Sequence, residues 1–138
     1  MLLELLKLVS IPVVIGGALV GADVTALSSA IAGPTFEQVG QYGVGEDSAS
    51  EIIASDGKVL AYTNSDKGSV DFVNISDPSN PTNITAVDVG GEPTSVAIRD
   101  GYAVAAVNTS SSFTNPSGKV VVIDMFDYKV VKEIALTG

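Results

Sequence analysis

The feature that most constrains this chain is an internal repeat of short apolar runs separated by turn residues. From residue 50 onward the runs fall into two sets of four that follow the same order. Apolar and β-branched residues bounded by Gly, Pro, Asn and Asp are typical of strands joined by turns. We predict strands at EIIAS (51–55), VLAYT (59–63), SVDFVNI (69–75), ITAVDV (84–89), TSVAIR (94–99), YAVAAVN (102–108), KVVVIDM (119–125) and VVKEIAL (130–136).

Turn residues recur at nearly constant spacing in the two sets. The matched pairs are Asp56-Gly57 with Asp100-Gly101 and Asn64 with Asn108 at 44 residues, Gly68 with Gly118 and Asp77 with Asp127 at 50, and Gly91 with Gly138 at 47. Asp-Gly between two apolar runs predicts a tight hairpin, because both residues tolerate the positive φ angles of such turns. The step from 44 to 50 predicts a six-residue insertion in the second set.

Four strands per unit, repeated at about 40–50 residues, predict an all-β fold of two consecutive four-stranded antiparallel β-propeller blades. The alternative is a β-sandwich, which also uses short strands but does not require internal repetition. We assign blade 1 to residues 50–91 and blade 2 to residues 92–138, with a lead-in strand and linker at 33–49. Closed propellers need about four to eight blades. We therefore expect further blades in cis, or a homo-oligomer in trans, to complete this partial propeller.

The N-terminal segment has the pattern of an export signal. Residues 8–22 carry no charge, a run of 15 residues that is shorter than the about 20 needed to span a membrane. Ala30-Ile31-Ala32 fits a small-residue cleavage site, so we assign residues 1–32 to a signal peptide. The alternatives are an uncleaved anchor and a misassigned start that adds a stretch with no role in the fold. This predicts an extracytoplasmic protein (secreted, periplasmic or cell surface) that contacts a membrane only through an uncleaved N-terminal segment.

Composition excludes several classes of function. The chain has no Cys and no His, which excludes disulfides, Cys or His zinc sites and a nucleophile–His triad within it. Sixteen acidic residues against seven basic ones give a net charge of −9, which disfavours nucleic acid as a partner. Only Asp and Glu remain as strong metal ligands, and they suit hard cations such as calcium.

The stretch from Ser50 to Gly138 resembles a bacterial secreted family named for esterase-like activity of phytase. The resemblance is carried by SEIIASDGKVLAYTNS, VDFVNISDPSNPTNI, GGEPTSVAI, VAAVNTSSSFTNPSGKVVVID and KVVKEIAL. The choice-of-anchor I family of surface propellers is the second-best match. The resemblance implies a secreted or surface protein with an N-terminal propeller. The region that gives the first family its name lies downstream in its members, so the resemblance assigns no catalytic residue to this chain.

Four acidic residues are candidates for a calcium site near the mouth of a propeller channel, because they lie at or before the predicted blade starts: Glu51, Glu92, Glu46 and Asp47. The alternative is that Glu92 caps a turn before Pro93 and that Glu51 is a solvated strand end. We predict no catalytic and no cofactor-binding residue, and possible calcium as the one cofactor. Asn64 and Asn108 are expected to hydrogen-bond loop backbone in Asx-turns.

The leading hypothesis is a secreted or surface β-propeller segment of a phytase-like or esterase-like protein, acting as a scaffold or binding module without chemistry of its own. One alternative is a calcium-dependent phosphate-ester hydrolase completed by missing blades. The other is a cell-surface adhesion or self-assembly subunit that uses open strand edges. The loop Thr109–Ser117 is longer than its counterpart in the first set, which makes it a candidate binding loop.

Overall fold

The structure is a computed structural model of the 138-residue chain that describes residues 2–9, 35–45 and 50–136. The described residues are all-β. Their strands are β1 (Leu2–Val9), β2 (Thr35–Gly43), β3 (Ser50–Ser55), β4 (Val59–Asn64), β5 (Ser69–Asn74), β6 (Thr82–Asp88), β7 (Glu92–Arg99), β8 (Tyr102–Asn108), β9 (Gly118–Asp124) and β10 (Lys129–Leu136). Each of the eight strands predicted after residue 50 is confirmed.

The eight repeat strands form two antiparallel sheets of four. The first sheet has the order β3-β4-β5-β6, and the second sheet has the matching order β7-β8-β9-β10. Each strand therefore pairs with its neighbour in sequence, as short hairpin connections favour. The predicted division into two four-stranded antiparallel units is confirmed.

Within the predicted lead-in segment, residues 33–49, the structure forms the strand β2. It pairs antiparallel with β1, from Leu2 opposite Gly43 to Val9 opposite Thr35. The predicted signal peptide thus contributes β1 to this two-stranded sheet, and its proposed cleavage site at Ala30–Ala32 lies outside the described residues.

The two sheets repeat one register, which matching hydrogen bonds fix: the Ile75 N–H donates to Lys58 O at 2.8 Å, and the Met125 N–H donates to Gly101 O at 2.9 Å. Tyr62 lies opposite Ile53 and Asp71 in the first sheet, and Ala105 lies opposite Val96 and Val121 in the second. Asp71 in turn lies opposite Ala86, and Val121 lies opposite Glu133. The offsets are therefore 43 for the first and second strands (96 − 53 and 105 − 62), 50 for the third (121 − 71) and 47 for the fourth (133 − 86).

The offset of 44 for the first two strands is thus wrong by one residue, and the insertion is seven residues by register. The reason lies in the two Asp-Gly turns. In the second sheet Arg99 pairs with Tyr102 around Asp100-Gly101, whose φ angles are 51° and 83°. In the first sheet the Asp56 N–H donates to Val59 O at 3.2 Å, which places Gly57-Lys58 at the centre of the turn. The two Asp-Gly pairs therefore sit one position apart.

The register defines two faces for each sheet, because residues opposite each other point to the same side. We call front the face of Val59, Ala61, Val70 and Phe72 in the first sheet, and of Tyr102, Val104, Val120 and Val122 in the second. We call back the face of Leu60, Tyr62, Val73 and Ile75 in the first sheet, and of Ala103, Ala105, Ile123 and Met125 in the second.

The main core lies between the front face of the first sheet and the back face of the second. It joins Ala61, Val70 and Phe72 to Ala103, Ala105 and the other buried residues of the second sheet, and β7 lies against β3 and β4. The Phe72 ring meets the Tyr128 ring edge-on at a centroid distance of 5.0 Å. The two sheets thus stack in the same sense, front to back.

The remaining two faces differ. The back face of the first sheet is covered by Tyr42, near the end of β2, and by Val44, which follows β2. These two residues pack against Leu60, Tyr62, Val73 and Ile75. The front face of the second sheet is open, with Tyr102 43% and Val104 37% exposed. One apolar sheet face is therefore uncovered in the described part of the chain.

Candidate functional site

The acidic residues predicted to hold calcium are spread over the starts of β3 and β7. Glu92 pairs with Asn108 across the ladder, and the Asn108 amide Nδ2 donates to Glu92 Oε2 at 3.0 Å. Glu51 is exposed and lies in the bulge between Ser50 and Ile53. With the offset of 43, Glu51 corresponds to Thr94 and not to Glu92.

The other two candidates, Glu46 and Asp47, lie outside the described residues. Within residues 2–9, 35–45 and 50–136, no group of three or more acidic side chains is placed to hold a metal ion. The calcium site therefore stays a prediction.

The two asparagines behave as predicted. Asn64 Oδ1 accepts a hydrogen bond from the Lys67 N–H at 3.3 Å, and Asn108 Oδ1 accepts one from the Ser110 N–H at 3.0 Å. Each side chain thus holds backbone of the loop that leaves its strand. Asn108 bonds the residue two positions on, as an Asx-turn does, whereas Asn64 bonds the residue three positions on.

Sequence reasoning missed a buried polar cluster on the back face of the first sheet. The Asp71 carboxylate accepts hydrogen bonds from the Tyr62 hydroxyl at 3.0 Å and from Asn64 Nδ2 at 3.2 Å on Oδ2, and from the Ser69 hydroxyl at 2.5 Å on Oδ1. All four residues are buried. We call them the Asp71 cluster.

The Asp71 cluster is held together by hydrogen bonds and not by an ion pair. In the described part of the chain no Lys or Arg pairs with Asp71. A buried carboxylate without a cation is tolerated only when donors surround it, and three donors do so here. The signal in the sequence was a single Asp inside the apolar run SVDFVN.

The charge of the Asp71 carboxylate affects the pKa values of two nearby tyrosines, Tyr42 and Tyr62. Burial, together with the charge of Asp71 and the hydrogen bond to it, raises the pKa of Tyr62 far above its ordinary value. Burial and the charge of Asp71 also raise the pKa of Tyr42, whose hydroxyl donates to Asn83 Oδ1 at 3.3 Å. Both phenols therefore stay protonated and can donate, and neither is an activated nucleophile at neutral pH.

Ser50 lies at the edge of the Asp71 cluster, opposite Asn64 in the ladder. Its residue is 8% exposed, and among the described residues its hydroxyl has no hydrogen-bond partner. A buried hydroxyl of this kind is often paired with ordered water.

The second feature with binding geometry is the loop Thr109–Ser117 between β8 and β9. It forms a pocket of about 310 Å³ that is open to solvent and is lined by Asn108, Ser110, Ser112, Phe113 and Pro116. Its counterpart, Ser65–Gly68 between β4 and β5, has only four residues. The cavity therefore belongs to the inserted residues of the second sheet.

Neither feature has the parts of a catalytic site. Catalysis by a Ser nucleophile needs a base within hydrogen-bonding reach, and the hydroxyl and amide groups of the loop supply none. Asp71 is engaged by three donors and buried. Both features suit structure or binding.

Comparisons of the chain with protein-family models, with curated proteins and with solved structures find no match. Within residues 2–9, 35–45 and 50–136, no helix has the length and apolar character needed to cross a membrane.

Proposed function

We propose that this chain is a two-blade segment of an extracytoplasmic β-propeller, acting as a scaffold or binding module without chemistry of its own. The observation that supports it is the stacking of the two repeated sheets in the same sense. Successive propeller blades repeat one operation, so each blade covers the front of one neighbour with its own back. Two such sheets closed as a sandwich would bring corresponding faces together.

The open front face of the second sheet follows from this arrangement. Its residues correspond to the front face of the first sheet, which the second sheet covers. The partner that fits the open face is therefore another sheet of the same kind, supplied by further blades in cis or by a copy of the chain in trans. Contiguous exposed apolar faces mark association surfaces.

The resemblance to the phytase-like and esterase-like family points in the same direction. It implies a propeller ahead of a separate region, in a secreted or surface protein. On this proposal the chain positions or binds, and any esterase or phosphatase chemistry belongs to another part of the longer protein.

The test compares sedimentation of the wild-type chain with that of Val104→Lys, which places a charge on the open front face. Val131→Lys on β10 is the control, since Val131 is also exposed but lies at a bulge in the edge strand. We expect Val104→Lys to reduce association, or to reduce binding of an apolar dye where the wild-type chain is monomeric. Equal behaviour of the two variants in both assays would contradict the proposal.

A second candidate, a surface adhesion or self-assembly subunit, is favoured by the edge of the second sheet. Every residue of β10 is exposed, so the strand offers free backbone groups for pairing with another chain. Negative-stain microscopy at high concentration distinguishes the two, because edge pairing extends into filaments.

No feature of the described residues favours the calcium-dependent hydrolase. Turnover of phosphate and carboxylate esters, measured with calcium and with chelator, tests it directly. Turnover that chelation abolishes would replace the scaffold proposal.

A further inference from the structure

We propose that the loop Thr109–Ser117 forms a binding site for a neutral saccharide. The inference deepens the proposed function, because it names the ligand class of the binding module and rests on that role. It depends on a region separate from the open front face, so the two proposals are tested independently.

The loop is held in shape before any ligand binds. At its neck, the Thr109 N–H donates to Ser117 O at 3.1 Å, and the Ser117 N–H donates to Ser110 Oγ at 2.9 Å. The hydroxyls of Thr109 and Ser117 lie 2.8 Å apart, and at the tip the Asn115 N–H donates to Ser112 O at 3.2 Å. A loop fixed in this way loses little conformational entropy when it binds.

The loop carries a solvent-exposed aromatic ring, that of Phe113. Phe113 is fully exposed, although it lines the cavity together with Pro116. Burying an apolar ring is favourable, so an exposed ring on an ordered loop can anchor a ligand. The flat ring suits the apolar C–H face of a sugar.

The polar part of the lining suits sugar hydroxyls. It consists of the Asn108 amide, whose Nδ2 keeps a second proton, and of the Ser110 and Ser112 hydroxyls, which keep acceptor lone pairs. The Ser110 hydroxyl also donates to Ser117 O at 3.1 Å, and the Ser112 hydroxyl lies 3.1 Å from that of Thr114. Asn108 is oriented from both sides, because its Oδ1 accepts from the Ser110 N–H and its Nδ2 donates to Glu92. A mainly apolar cavity with a few fixed polar groups is typical of small-molecule sites.

Charge selects the ligand class. None of the five lining residues is charged, and the chain carries a net charge of −9. Phosphorylated, sulfated and carboxylated ligands would meet repulsion without a compensating cation, and a cationic ligand would find no carboxylate in the lining. A neutral saccharide satisfies both the aromatic wall and the uncharged polar groups.

The test is a titration of the wild-type chain with neutral gluco-, manno- and N-acetylglucosamine oligosaccharides, followed by calorimetry and by backbone amide chemical shifts. We expect at least one of them to bind at roughly millimolar concentration or below and to shift the amides of Asn108, Ser110 and Phe113. Phe113→Ala should weaken this binding about tenfold or more.

The matched control is Phe126→Ala, since Phe126 is another highly exposed phenylalanine, at the β9–β10 turn. It should leave the affinity within about twofold. Urea unfolding of both variants checks that the fold is intact, because neither side chain is buried.

The proposal is overturned if no neutral oligosaccharide shifts the loop amides, or if Phe126→Ala weakens binding as much as Phe113→Ala does. It is also overturned if polygalacturonate binds as tightly as the neutral sugars, or if Phe113 instead mediates binding to lipid vesicles. None of these results changes the effect of Val104→Lys, so the stacking proposal keeps its own test.

Discussion

The two sheets share one register, but their back faces carry different residues and pack against different neighbours. In the first sheet the back face carries Tyr62, Asn64, Ser69 and Asp71 under a cover from β2. The corresponding residues of the second sheet are Ala105, Val107, Lys119 and Val121, and this face packs on the first sheet. Small apolar residues on the back face of the second sheet allow it to pack closely on the first sheet. The back face of the first sheet has no four-stranded sheet against it in the described part of the chain, and it carries a polar cluster.

The comparison teaches that the neighbour of a repeat unit, and not its own strand pattern, decides which residues a face carries. Ala105 and Val121 are fully buried because a sheet lies against them. The back face around Asp71 is covered by Tyr42 of β2 and by Val44, which follows β2. The predictions that follow use corresponding positions in the two sheets to test this difference.

The largest effect is expected when the first sheet receives the residue that the second sheet has at the same place. Asp71→Val, chosen to match Val121, removes the acceptor of three buried donors. The Tyr62, Asn64 and Ser69 donors would then be unpaired, so the free energy of unfolding should fall by about 3 kcal/mol or more. Urea unfolding measures it.

The control for this prediction is the double variant Asp71→Val with Tyr62→Phe. Removing the stranded hydroxyl should make the double variant cost clearly less than the sum of the two single changes. Strict additivity would mean that the Asp71 cluster is not a coupled unit.

A smaller effect separates the covered and the open front faces. Val70 and Val120 are the same residue type at corresponding positions, and Val70 is fully buried whereas Val120 is only partly buried. Val70→Ala should cost about 2 kcal/mol or more, since it leaves a cavity between the sheets, and Val120→Ala about 1 kcal/mol or less. Equal costs in urea unfolding would show that the front face of the second sheet is covered as well.

The smallest effect concerns alkaline pH. The folded protein raises the pKa of Tyr62 above its ordinary value of 10.0, chiefly by burial. The unfolded chain therefore releases this proton first. The stabilisation is complete below the ordinary value and is lost as pH rises through it toward the folded pKa.

Unfolding free energies measured from neutral pH to above pH 10.0 should thus fall at the alkaline end. Tyr62→Phe should make this fall less steep, while Tyr42 and Tyr128, whose pKa values burial also raises, keep part of it. An unchanged slope in Tyr62→Phe would contradict the assignment of the Tyr62 phenol to the Asp71 cluster.

Much of the fold could be predicted because its signals are local. Strand alternation and turn residues located all eight repeat strands, and the position of Asn64 and Asn108 after a strand predicted their hydrogen bonds to loop backbone. The true offset of 43 could not be predicted, because it depends on whether Asp56 occupies the centre of its turn or closes it.

The candidate sites were harder to predict because they depend on contacts distant in sequence. The Asp71 cluster forms only when β4 and β5 pair in register and β2 covers them. The loop Thr109–Ser117 was visible as an insertion, but its cavity depends on the hydrogen bonds that close its neck.

The most direct test of front-to-back stacking is complementation between two variants in sedimentation velocity. Val104→Lys places a charge on the open front face of the second sheet. Ile53→Lys places a charge on the back face of the first sheet, because Ile53 is exposed and lies opposite Tyr62 in the ladder. We predict that each variant alone fails to associate and that their mixture forms a dimer, because the intact front of one copy meets the intact back of the other, where it takes the place of Tyr42 and Val44. A mixture that stays monomeric while the wild-type chain associates, or association of Ile53→Lys alone, would contradict front-to-back stacking.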